Sequence, residues 1–411
     1  MNAEERTTAL RSLIEKLHAR VPLYRERMND RGVTPEDFRS LDDLRRFPFT
    51  VKQDLRDNYP YGLLACDRTE LARLHVSSGT TGKPTVVGYT RRDLDAWAEA
   101  VKNCMATAGV RPDDIVQIAF GYGLFTGGLG IHDGAQALGA TVIPASGGFS
   151  ERQLLLMQDL GTTVIACTPS YALHLADLID EKGLKLNLRL GIFGAEPWSE
   201  ELRRKIENRL GITAIDIYGL SEVMGPGVAV ECAHQQGLHL EDGLFHAEII
   251  DPETGEPLPE GEEGELVLTT LGKEGMPLLR YRTRDITRIL PGRCACGRGG
   301  TRIARIRGRS DDMLIIRGVN VYPSQVETAL GRVDGLSLHY LLEVSDREGL
   351  KELTVCCEPS DHLNRDAAAL LARRSQQELL GLLGVRVGFR LVEPGSLSRS
   401  EGKAARIRNV A

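Results

Sequence analysis

Residues 76–90 read VSSGTTGKPTVVGYT, and this stretch concentrates glycines, hydroxyl side chains and one lysine. Glycine lets backbone N–H groups approach phosphate oxygens closely, and hydroxyl and ammonium groups add further donors. The P-loop pattern places four residues between its first glycine and the Gly-Lys pair, but only Thr80 and Thr81 separate Gly79 from Gly82 here. The stretch is therefore either a phosphate-binding loop of another kind or a flexible turn.

Short apolar strands alternate with helical segments from this loop to about residue 225. Strands that are apolar throughout and end in small-residue loops indicate a parallel sheet covered by helices on both faces. An α/β fold is therefore expected, with ligands at the carboxyl ends of the strands. The strand segments are DIVQIAF (114–120), ATVIPA (140–145), TTVIACTP (162–169), LRLGIFGAEP (188–197) and TAIDIYGLSE (213–222).

The pattern changes after residue 225. Short alternating strands with a turn-rich segment at 252–264 predict a β-rich subdomain over about 226–307. After the sequence GRSDDM, which begins at residue 308, a strand, a turn and a helix start a small α+β domain. We expect a large N-terminal domain at 1–308 and a small C-terminal domain at 309–411.

Composition excludes several classes of protein. The chain has 411 residues, of which 42% are hydrophobic and 26% charged, as in ordinary soluble proteins. A net charge of -6 without a long basic run gives no reason to expect nucleic-acid binding. No apolar segment approaches the roughly 20 residues that span a bilayer, and the N-terminus lacks a signal-peptide core. Eight scattered cysteines indicate a reducing cytoplasm.

Five segments, in order along the chain, resemble the signatures of the adenylate-forming superfamily. They correspond to its phosphate loop, its adenine and magnesium segment, its ribose segment, its hinge and its catalytic-lysine segment. In the same order they read SSGTTGKP (77–84), YGLSE (218–222), RYRTRD (280–285), GRSDDMLIIRG (308–318) and SRSEGKAARI (398–407).

Four longer stretches resemble the phenylacetate–CoA ligases within that superfamily: FGYGLFTGGLG (120–130), GAEPW (194–198), YGLSEVMGPGV (218–228) and GRSDDMLIIRGVNVYPSQVE (308–327). The resemblance implies the adenylate-forming fold with a mobile C-terminal domain. It also implies an enzyme that uses ATP, Mg²⁺ and coenzyme A to join an arylacetic acid to CoA through an acyl-adenylate. Two alternative functions remain open: transfer of the acyl group to a carrier-protein thiol, and a non-catalytic ligand-binding role. A homodimer is also possible.

The resemblance also assigns nucleotide-binding residues. Tyr218 would lie against adenine, although a tyrosine after an apolar strand is often a core residue. Asp285 would bind both ribose hydroxyls, because a carboxylate accepts two hydrogen bonds; its alternative is an ion pair with Arg280, Arg282, Arg284 or Arg288. The remaining positions are Ser78, Gly79, Thr80, Thr81, Gly82 and Lys83 for the phosphates, and Glu196, Pro197, Asp216, Gly219, Ser221 and Arg309 around the nucleotide.

Three residues would act in catalysis. Glu222 matches the magnesium ligand of the family, a hard oxygen donor; its alternative is a surface glutamate. Lys403 resembles the lysine that neutralises charge developing on the acyl carboxylate and the α-phosphate, and its alternative is a solvated terminal lysine. Thr81 belongs to the phosphate loop. Asp311 resembles the hinge about which the small domain would rotate between the two half-reactions.

The acid-binding wall is expected on the loops that carry the family-like motifs at 120–130 and 194–198. Small residues beside aromatic rings would form a flat slot for an aryl acid. The alternative is that the glycines only permit close packing of helix and sheet. The candidates are Tyr122, Phe125, Gly127, Gly128 and Ala195.

Cysteine and histidine spacing predicts a structural zinc site in the β-rich segment. Cys232 and His239 are spaced C-x6-H, and Cys294 and Cys296 are spaced C-x-C. Three thiolates and an imidazole complete a tetrahedral zinc site without an open position for water. His234 is the alternative fourth ligand, and free thiols or a disulfide are the alternatives to zinc.

Overall fold

The computed structural model describes residues 2–77, 84–317, 319–347, 350–399 and 406–410. The chain divides into two compact units. The first contains Met1–Gly147, Thr162–Ala166 and Ile215–Arg305, and the second contains Gly148–Gly161, Cys167–Ala214 and Ile306–Ala411. The domain boundary expected between residues 308 and 309 remains a prediction.

The helices of the described residues are α1 (Ala3–Arg20), α2 (Pro22–Asp30), α3 (Lys52–Asp57), α4 (Arg91–Ala108), α5 (Thr126–Leu138), α6 (Ser150–Leu160), α7 (Pro169–Lys182), α8 (Glu200–Leu210), α9 (Pro323–Gly331) and α10 (Arg365–Leu383). Short 3₁₀ segments lie at Pro35–Asp37, Leu41–Arg46 and Arg68–Glu70. No helix in the described ranges combines the length and apolarity needed to cross a membrane.

The strands of the described residues are β1 (Leu71–Ser77), β2 (Thr85–Thr90), β3 (Ile115–Ile118), β4 (Thr141–Ile143), β5 (Val164–Cys167), β6 (Leu190–Gly194), β7 (Thr213–Leu220), β8 (Gly225–Glu231), β9 (Leu238–Leu240), β10 (Phe245–Ile250), β11 (Gly264–Thr270), β12 (Tyr281–Thr287), β13 (Arg302–Ile303), β14 (Gly308–Arg309), β15 (Leu314–Ile316), β16 (Val319–Val321), β17 (Leu336–Arg347), β18 (Leu350–Pro359), β19 (Gly388–Leu391) and β20 (Ile407–Val410).

The first unit contains parallel strands in the order β5-β3-β4. β5 is buried along its whole length, and β3 is buried except at its first residue, as expected for parallel strands covered on both faces. β7, β8, β9 and β13 pair antiparallel to one another in that order. The α/β class expected from the apolar strand segments is confirmed.

Glycines let helix α5 pack closely against helix α4. A Cβ atom at Gly134 would lie 2.4 Å from Cγ1 of Val101, and one at Gly130 would lie 2.4 Å from the ring of Trp97. Trp97 is buried, and its indole N–H donates to the carbonyl of Pro226 at 2.8 Å. A side chain at either glycine would therefore push the two helices apart.

A second sheet in the first unit is antiparallel and contains β10, β11 and β12. In it β11 pairs with both neighbours, and Phe245 of β10 lies opposite Thr270 of β11. These strands lie in the segment expected to be rich in β-structure. β12 carries the RYRTRD motif, so it links this sheet to the candidate site.

The second unit contains a sheet of order β19-β18-β17-β20. β17 and β18 form a long hairpin, and β19 and β20 add parallel strands at its two edges. Helices α9 and α10 contact each other and this sheet. Helices α7 and α8 belong to the same unit and begin at the N-caps Thr168 and Ser199, whose side chains accept backbone hydrogen bonds.

Candidate active site and thiol cluster

Tyr218 and Asp285 lie together although they are 67 positions apart in the sequence. The phenol of Tyr218, near the end of β7, donates to Oδ2 of Asp285 in β12 at 2.5 Å. Asp285 is only 7% exposed, yet Tyr218 is partly exposed. The pair is thus a buried carboxylate held in place beside an accessible aromatic ring.

Arginines near Asp285 in sequence pair with other carboxylates. Arg280 is buried and donates to Glu248 through Nε and Nη2 at 3.1 and 2.9 Å. Arg282 donates to Glu265 at 2.6 Å through Nη2. These contacts hold the β12 segment in its sheet.

The turn after β7 presents Ser221 and Glu222. A Cβ atom at Gly219 would lie 1.9 Å from the carbonyl oxygen of Gly225, so only glycine fits this close strand crossing. The Ser221 hydroxyl lies 2.8 Å from the hydroxyl of Thr126, at the start of α5. The turn is therefore fixed both by its own hairpin and by α5.

Glu222 forms an ion pair with Lys52, the first residue of α3. Lys52 Nζ lies 3.0 Å from Oε1 of Glu222, whose side chain is 8% exposed, while that of Lys52 is 41% exposed. Glu222 is therefore not the solvated surface glutamate of the alternative interpretation. The exposed ammonium can leave without opening the core, so the carboxylate remains accessible to a cation.

Lys273 is a buried lysine beneath this turn. Its ammonium donates to the carbonyl of Val223 at 2.6 Å and lies 4.7 Å from the centre of the Tyr89 ring. Burial lowers the pKa of Lys273 to about 8, although Asp93 and Glu222 act to raise it. The lysine supplies positive charge close to the turn.

Asp216, which the sequence assigned to the nucleotide, is an ion-pair partner here. Its carboxylate accepts from Nε of Arg305 at 3.3 Å, and its backbone N–H donates to Glu231 at 3.0 Å. Asp216 is 9% exposed. Its contribution to nucleotide binding remains a prediction.

The aromatic loop before α5 exposes the ring of Phe125, which is 48% accessible. The hydroxyl of Tyr122 lies 3.2 Å from Nδ1 of His132, and burial raises the pKa of Tyr122. A Cβ atom at Gly128 would lie 2.8 Å from the carbonyl of Gly121, whereas one at Gly127 would make ordinary contacts. Close packing therefore explains Gly128 and leaves Gly127 as a candidate for the acid-binding slot.

In the second unit, the loop after β6 carries Ala195, Glu196 and Pro197. Ala195 adopts a left-handed backbone conformation with φ of 70°, and the Glu196 carboxylate accepts from the Ser170 N–H at 2.7 Å. Ala195 and Pro197 are exposed. The loop is thus anchored while two of its residues remain accessible.

Arg309 forms a two-pronged ion pair with Asp311, with Nε and Nη2 at 2.8 and 2.9 Å from its two oxygens. The expected hinge residue is thereby paired with the residue expected to contact the nucleotide.

Seven expected site residues lie outside the described residues: Ser78, Gly79, Thr80, Thr81, Gly82, Lys83 and Lys403. β1 ends at Ser77 and β2 begins at Thr85, opposite each other in the hairpin. Their hydroxyl groups contact each other directly.

The predicted zinc ligands lie in one cluster. The ligand atoms of Cys232, His239, Cys294 and Cys296 all lie within 4.8 Å of one another. Sγ of Cys232 lies 3.6 Å from that of Cys294, and Sγ of Cys296 lies 3.4 Å from Nε2 of His239. His234 is exposed and does not belong to this cluster. The cysteines are free thiols, without a disulfide.

Comparisons with known proteins agree along nearly the whole chain. The family model for AMP-binding enzymes matches residues 20–272, and that for their C-terminal domain matches residues 318–410. The phenylacetate–coenzyme A ligase of Pseudomonas putida is 50% identical over 405 residues, which cover 97% of this chain and 92% of the relative. That of Escherichia coli (strain K12) is 49% identical over 409 residues, covering 98% and 93%.

The chain belongs to the phenylacetate–CoA ligase family. Both the family and the class of AMP-forming acid–thiol ligase expected from the motifs are confirmed.

Solved structures of another acyl-CoA ligase have the same fold. 2-Hydroxyisobutyryl-CoA ligase in its postadenylation state has a TM-score of 0.94 at 27% identity, covering 99% of this chain and 89% of that chain. The same ligase in its thioesterification state, with 2-HIB-AMP and CoA, has a TM-score of 0.72 at 28% identity and the same coverage. These likenesses confirm the expected adenylate-forming fold.

Sequence reasoning missed Lys52 and Lys273. Lys52 lies in TVKQDL, which has no pattern that would connect it with a glutamate 170 positions later. Lys273 lies in a Gly-rich loop and reads as an exposed residue, whereas it is 3% accessible. Only the folded chain shows that both lysines approach the turn at Glu222.

Proposed function

We propose that the chain joins phenylacetate, or a closely related arylacetic acid, to coenzyme A with cleavage of ATP to AMP and pyrophosphate. The single observation that carries the choice of acid is the identity of about 50% to ligases named for phenylacetate, over nearly the full length of both chains. In the first half-reaction a carboxylate oxygen attacks the α-phosphorus of ATP and pyrophosphate leaves. In the second, the CoA thiol attacks the acyl carbon and AMP leaves.

The proposed nucleotide site uses Tyr218 and Asp285 as one element. The tyrosine ring would lie against adenine, and Asp285 would accept from the ribose hydroxyls. The hydrogen bond between them supports this assignment because it holds the carboxylate beside the tyrosine ring. Glu196, Pro197 and Arg309 would complete the nucleotide contacts.

The donor set at Glu222 fits Mg²⁺, which commonly uses one or two carboxylates together with substrate phosphates. Glu222 is nearly buried and carries a compensating ammonium at 3.0 Å, as expected for an acid that needs a cation nearby. The bound ion would supply positive charge to the α-phosphate. Glu222 would hold that ion, Lys403 would offset the charge on the remaining oxygens, and Thr81 and the other residues of the phosphate loop would donate hydrogen bonds to them.

We also propose a structural zinc ion on the thiol cluster. Tetrahedral bonds of about 2.3 Å to sulfur and 2.0 Å to nitrogen place ligand atoms roughly 3.5–4 Å apart, which agrees with the distances in the cluster. Three cysteines and His239 leave no ligand position for water, so the ion would fasten the segment around Cys294 to β8 and β9. The free thiols support a reducing compartment such as the cytoplasm.

Pyrophosphate release with ATP, Mg²⁺ and a panel of aryl acids tests the proposed function, measured with and without CoA. We expect release with an arylacetic acid and conversion of that acid into a CoA thioester. Pyrophosphate release without thioester would indicate a carrier-protein acceptor. If folded protein released no pyrophosphate with any of the acids, this result would contradict the proposed function and favour a ligand-binding role. A homodimer remains a prediction that this assay does not address.

A further inference from the structure

Glu327 is a buried carboxylate that joins α9 to the start of α8. It is 2% exposed, and its Oε1 accepts from the backbone N–H of Ser199 at 2.7 Å. Ser199 is the N-cap of α8 and follows the GAEPW loop directly. Glu327 therefore holds the residue that directly follows this loop. Within the loop, the carboxylate of Glu196 accepts a hydrogen bond from the backbone N–H of Ser170 at 2.7 Å.

The other oxygen of Glu327 faces the end of the chain. Oε2 lies 3.3 Å from the hydroxyl of Tyr340 and 3.6 Å from Nη2 of Arg406. The Arg406 guanidinium lies 4.2 Å from the centre of the Tyr340 ring. The backbone carbonyl of Arg406 accepts a hydrogen bond from the N–H of Leu342 in β17 at 2.8 Å, and β20, which pairs with β17, begins at the next residue. Arg406 is therefore held by both its side chain and its backbone.

These contacts form a charge network that is costly to leave incomplete. Burial raises the pKa of Glu327, while Arg406 and the Ser199 N–H act to lower it. A buried charge is strongly destabilising when its partner is removed. The network thus favours one placement of the chain end relative to the α8 start, and Arg406 follows Lys403 by only three residues.

We propose that Glu327 is a positioning residue for the adenylation half-reaction. By pairing with Arg406 and Ser199 at the same time, it fixes Arg406 relative to the start of α8, and Arg406 follows Lys403 by three positions in the sequence. This inference rests on the proposed function, in which Lys403 serves the first half-reaction. The structure matches the postadenylation state of 2-hydroxyisobutyryl-CoA ligase with a TM-score of 0.94 and its thioesterification state with 0.72, so the Glu327 contacts belong to a structure more similar to the former state.

Neighbouring contacts provide a matched control. Arg332, at the end of α9, approaches Glu201 of α8 at 3.7 Å, but its side chain is 53% exposed. Arg332→Gln thus removes a charge contact between the same two helices without touching the buried network. Glu327→Gln keeps an oxygen for the Ser199 N–H and removes the charge opposite Arg406.

The test measures the half-reactions separately in the full chain. Pyrophosphate release without CoA reports adenylation, and thioester formation from a supplied aryl acyl-adenylate and CoA reports the second step. We expect Glu327→Gln to lower adenylation at least about tenfold, the order lost with one charged hydrogen bond, while thioester formation stays within about threefold. Arg332→Gln should leave both rates within about twofold.

Equal losses in both half-reactions, or no loss in either, would overturn the proposal. If Glu327→Gln does not fold, Arg406→Lys provides the second variant, because it keeps the positive charge but loses the planar guanidinium that lies over Tyr340; it should give the same selective loss. A wild-type protein that releases no pyrophosphate with any aryl acid would instead count against the proposed function.

Discussion

The ammonium of Lys52 lies 3.0 Å from the carboxylate of Glu222, the residue proposed to bind magnesium. In the proposed site, Mg²⁺ would compete with Lys52 for this carboxylate, and only the lysine is covalently attached to the chain. Because the side chain of Lys52 is 41% exposed, it can move into solvent when the metal arrives. Before the nucleotide binds, the lysine would thus occupy the position beside the Glu222 carboxylate.

Lys52→Gln should therefore lower the Mg²⁺ concentration that gives half-maximal pyrophosphate release, by about two- to fivefold, as expected for loss of one partly exposed ion pair. Arg92→Gln is the control, since Arg92 is highly exposed and pairs with Glu274 at 2.9 Å. An unchanged Mg²⁺ requirement with a higher KM for ATP would show that Lys52 contacts the nucleotide instead.

Tyr218→Phe should raise the KM for ATP about tenfold, because the ring remains but the hydrogen bond that holds Asp285 is lost. Asp285→Ala should weaken ATP binding at least as much, measured by calorimetry. Tyr122→Phe removes a hydroxyl that contacts His132 and should leave ATP binding unchanged. Unaltered ATP affinity in Asp285→Ala would refute the ribose assignment.

Lys403→Ala should reduce adenylation about a hundred- to a thousandfold, the usual loss when one donor to a developing oxyanion is removed. Thioester formation from a supplied acyl-adenylate should remain near the wild-type rate. Lys351→Ala changes an exposed lysine of the C-terminal segment and serves as the control. Comparable losses in both half-reactions would contradict a role of Lys403 in the first step alone.

Elemental analysis of the purified protein should find about one zinc per chain. Cys294→Ser should lose the metal and lower the melting temperature, whereas Cys104→Ser, which changes a buried thiol outside the cluster, should keep the metal. Wild-type protein that is fully folded and free of zinc would rule out the structural ion.

His246 should make the fold sensitive to acid. Burial, together with Arg6 and Arg280, lowers its pKa from 6.5 to about 4, against the opposing charge of Asp242. In the unfolded chain His246 therefore becomes protonated near pH 6.5, whereas in the folded chain it becomes protonated only near pH 4. Stability contributed by neutral His246 is present at higher pH and is lost as the pH falls through this window.

The loss from His246 should amount to about 2 kcal/mol between pH 7 and pH 5. Urea denaturation across this range measures it. His246→Gln should flatten the dependence by that amount, whereas His362→Gln, at an exposed position, should not. Identical pH profiles for wild type and His246→Gln would disprove the assignment.

Local patterns predicted much of this fold but not its tertiary pairings. Apolar strands such as β5 predict a buried parallel sheet because burial on both faces leaves no polar alternation. The zinc-ligand spacing was informative because β8 and β9 pair antiparallel, which places Cys232 near His239. Sequence spacing could not distinguish His234 from His239, since the choice depends on the fold: His234 lies exposed in the turn between β8 and β9, whereas His239 lies in β9 beside the cysteines.

The partners of charged residues were the least predictable feature. Asp216 pairs with Arg305, and Glu222 pairs with Lys52, across separations at which sequence contains no periodic signal. Nothing in the sequence assigned different partners to the arginines of RYRTRD, but the strand geometry pairs Arg280 with Glu248 and Arg282 with Glu265. Such choices follow from where the backbone places each side chain, which only the complete fold determines.

The contact of α5 with α4 has a consequence for how acid preference can evolve. Gly130 and Gly134 set the depth at which α5 sits, and α5 begins directly after the loop that carries Tyr122 and Phe125. An alanine at Gly130 or Gly134 would shift that loop, which is expected to bind the acid, although neither glycine lies in the loop itself. In the proposed acid site, selectivity would therefore change through mutations in the interior, while the residues expected to contact the substrate stay the same.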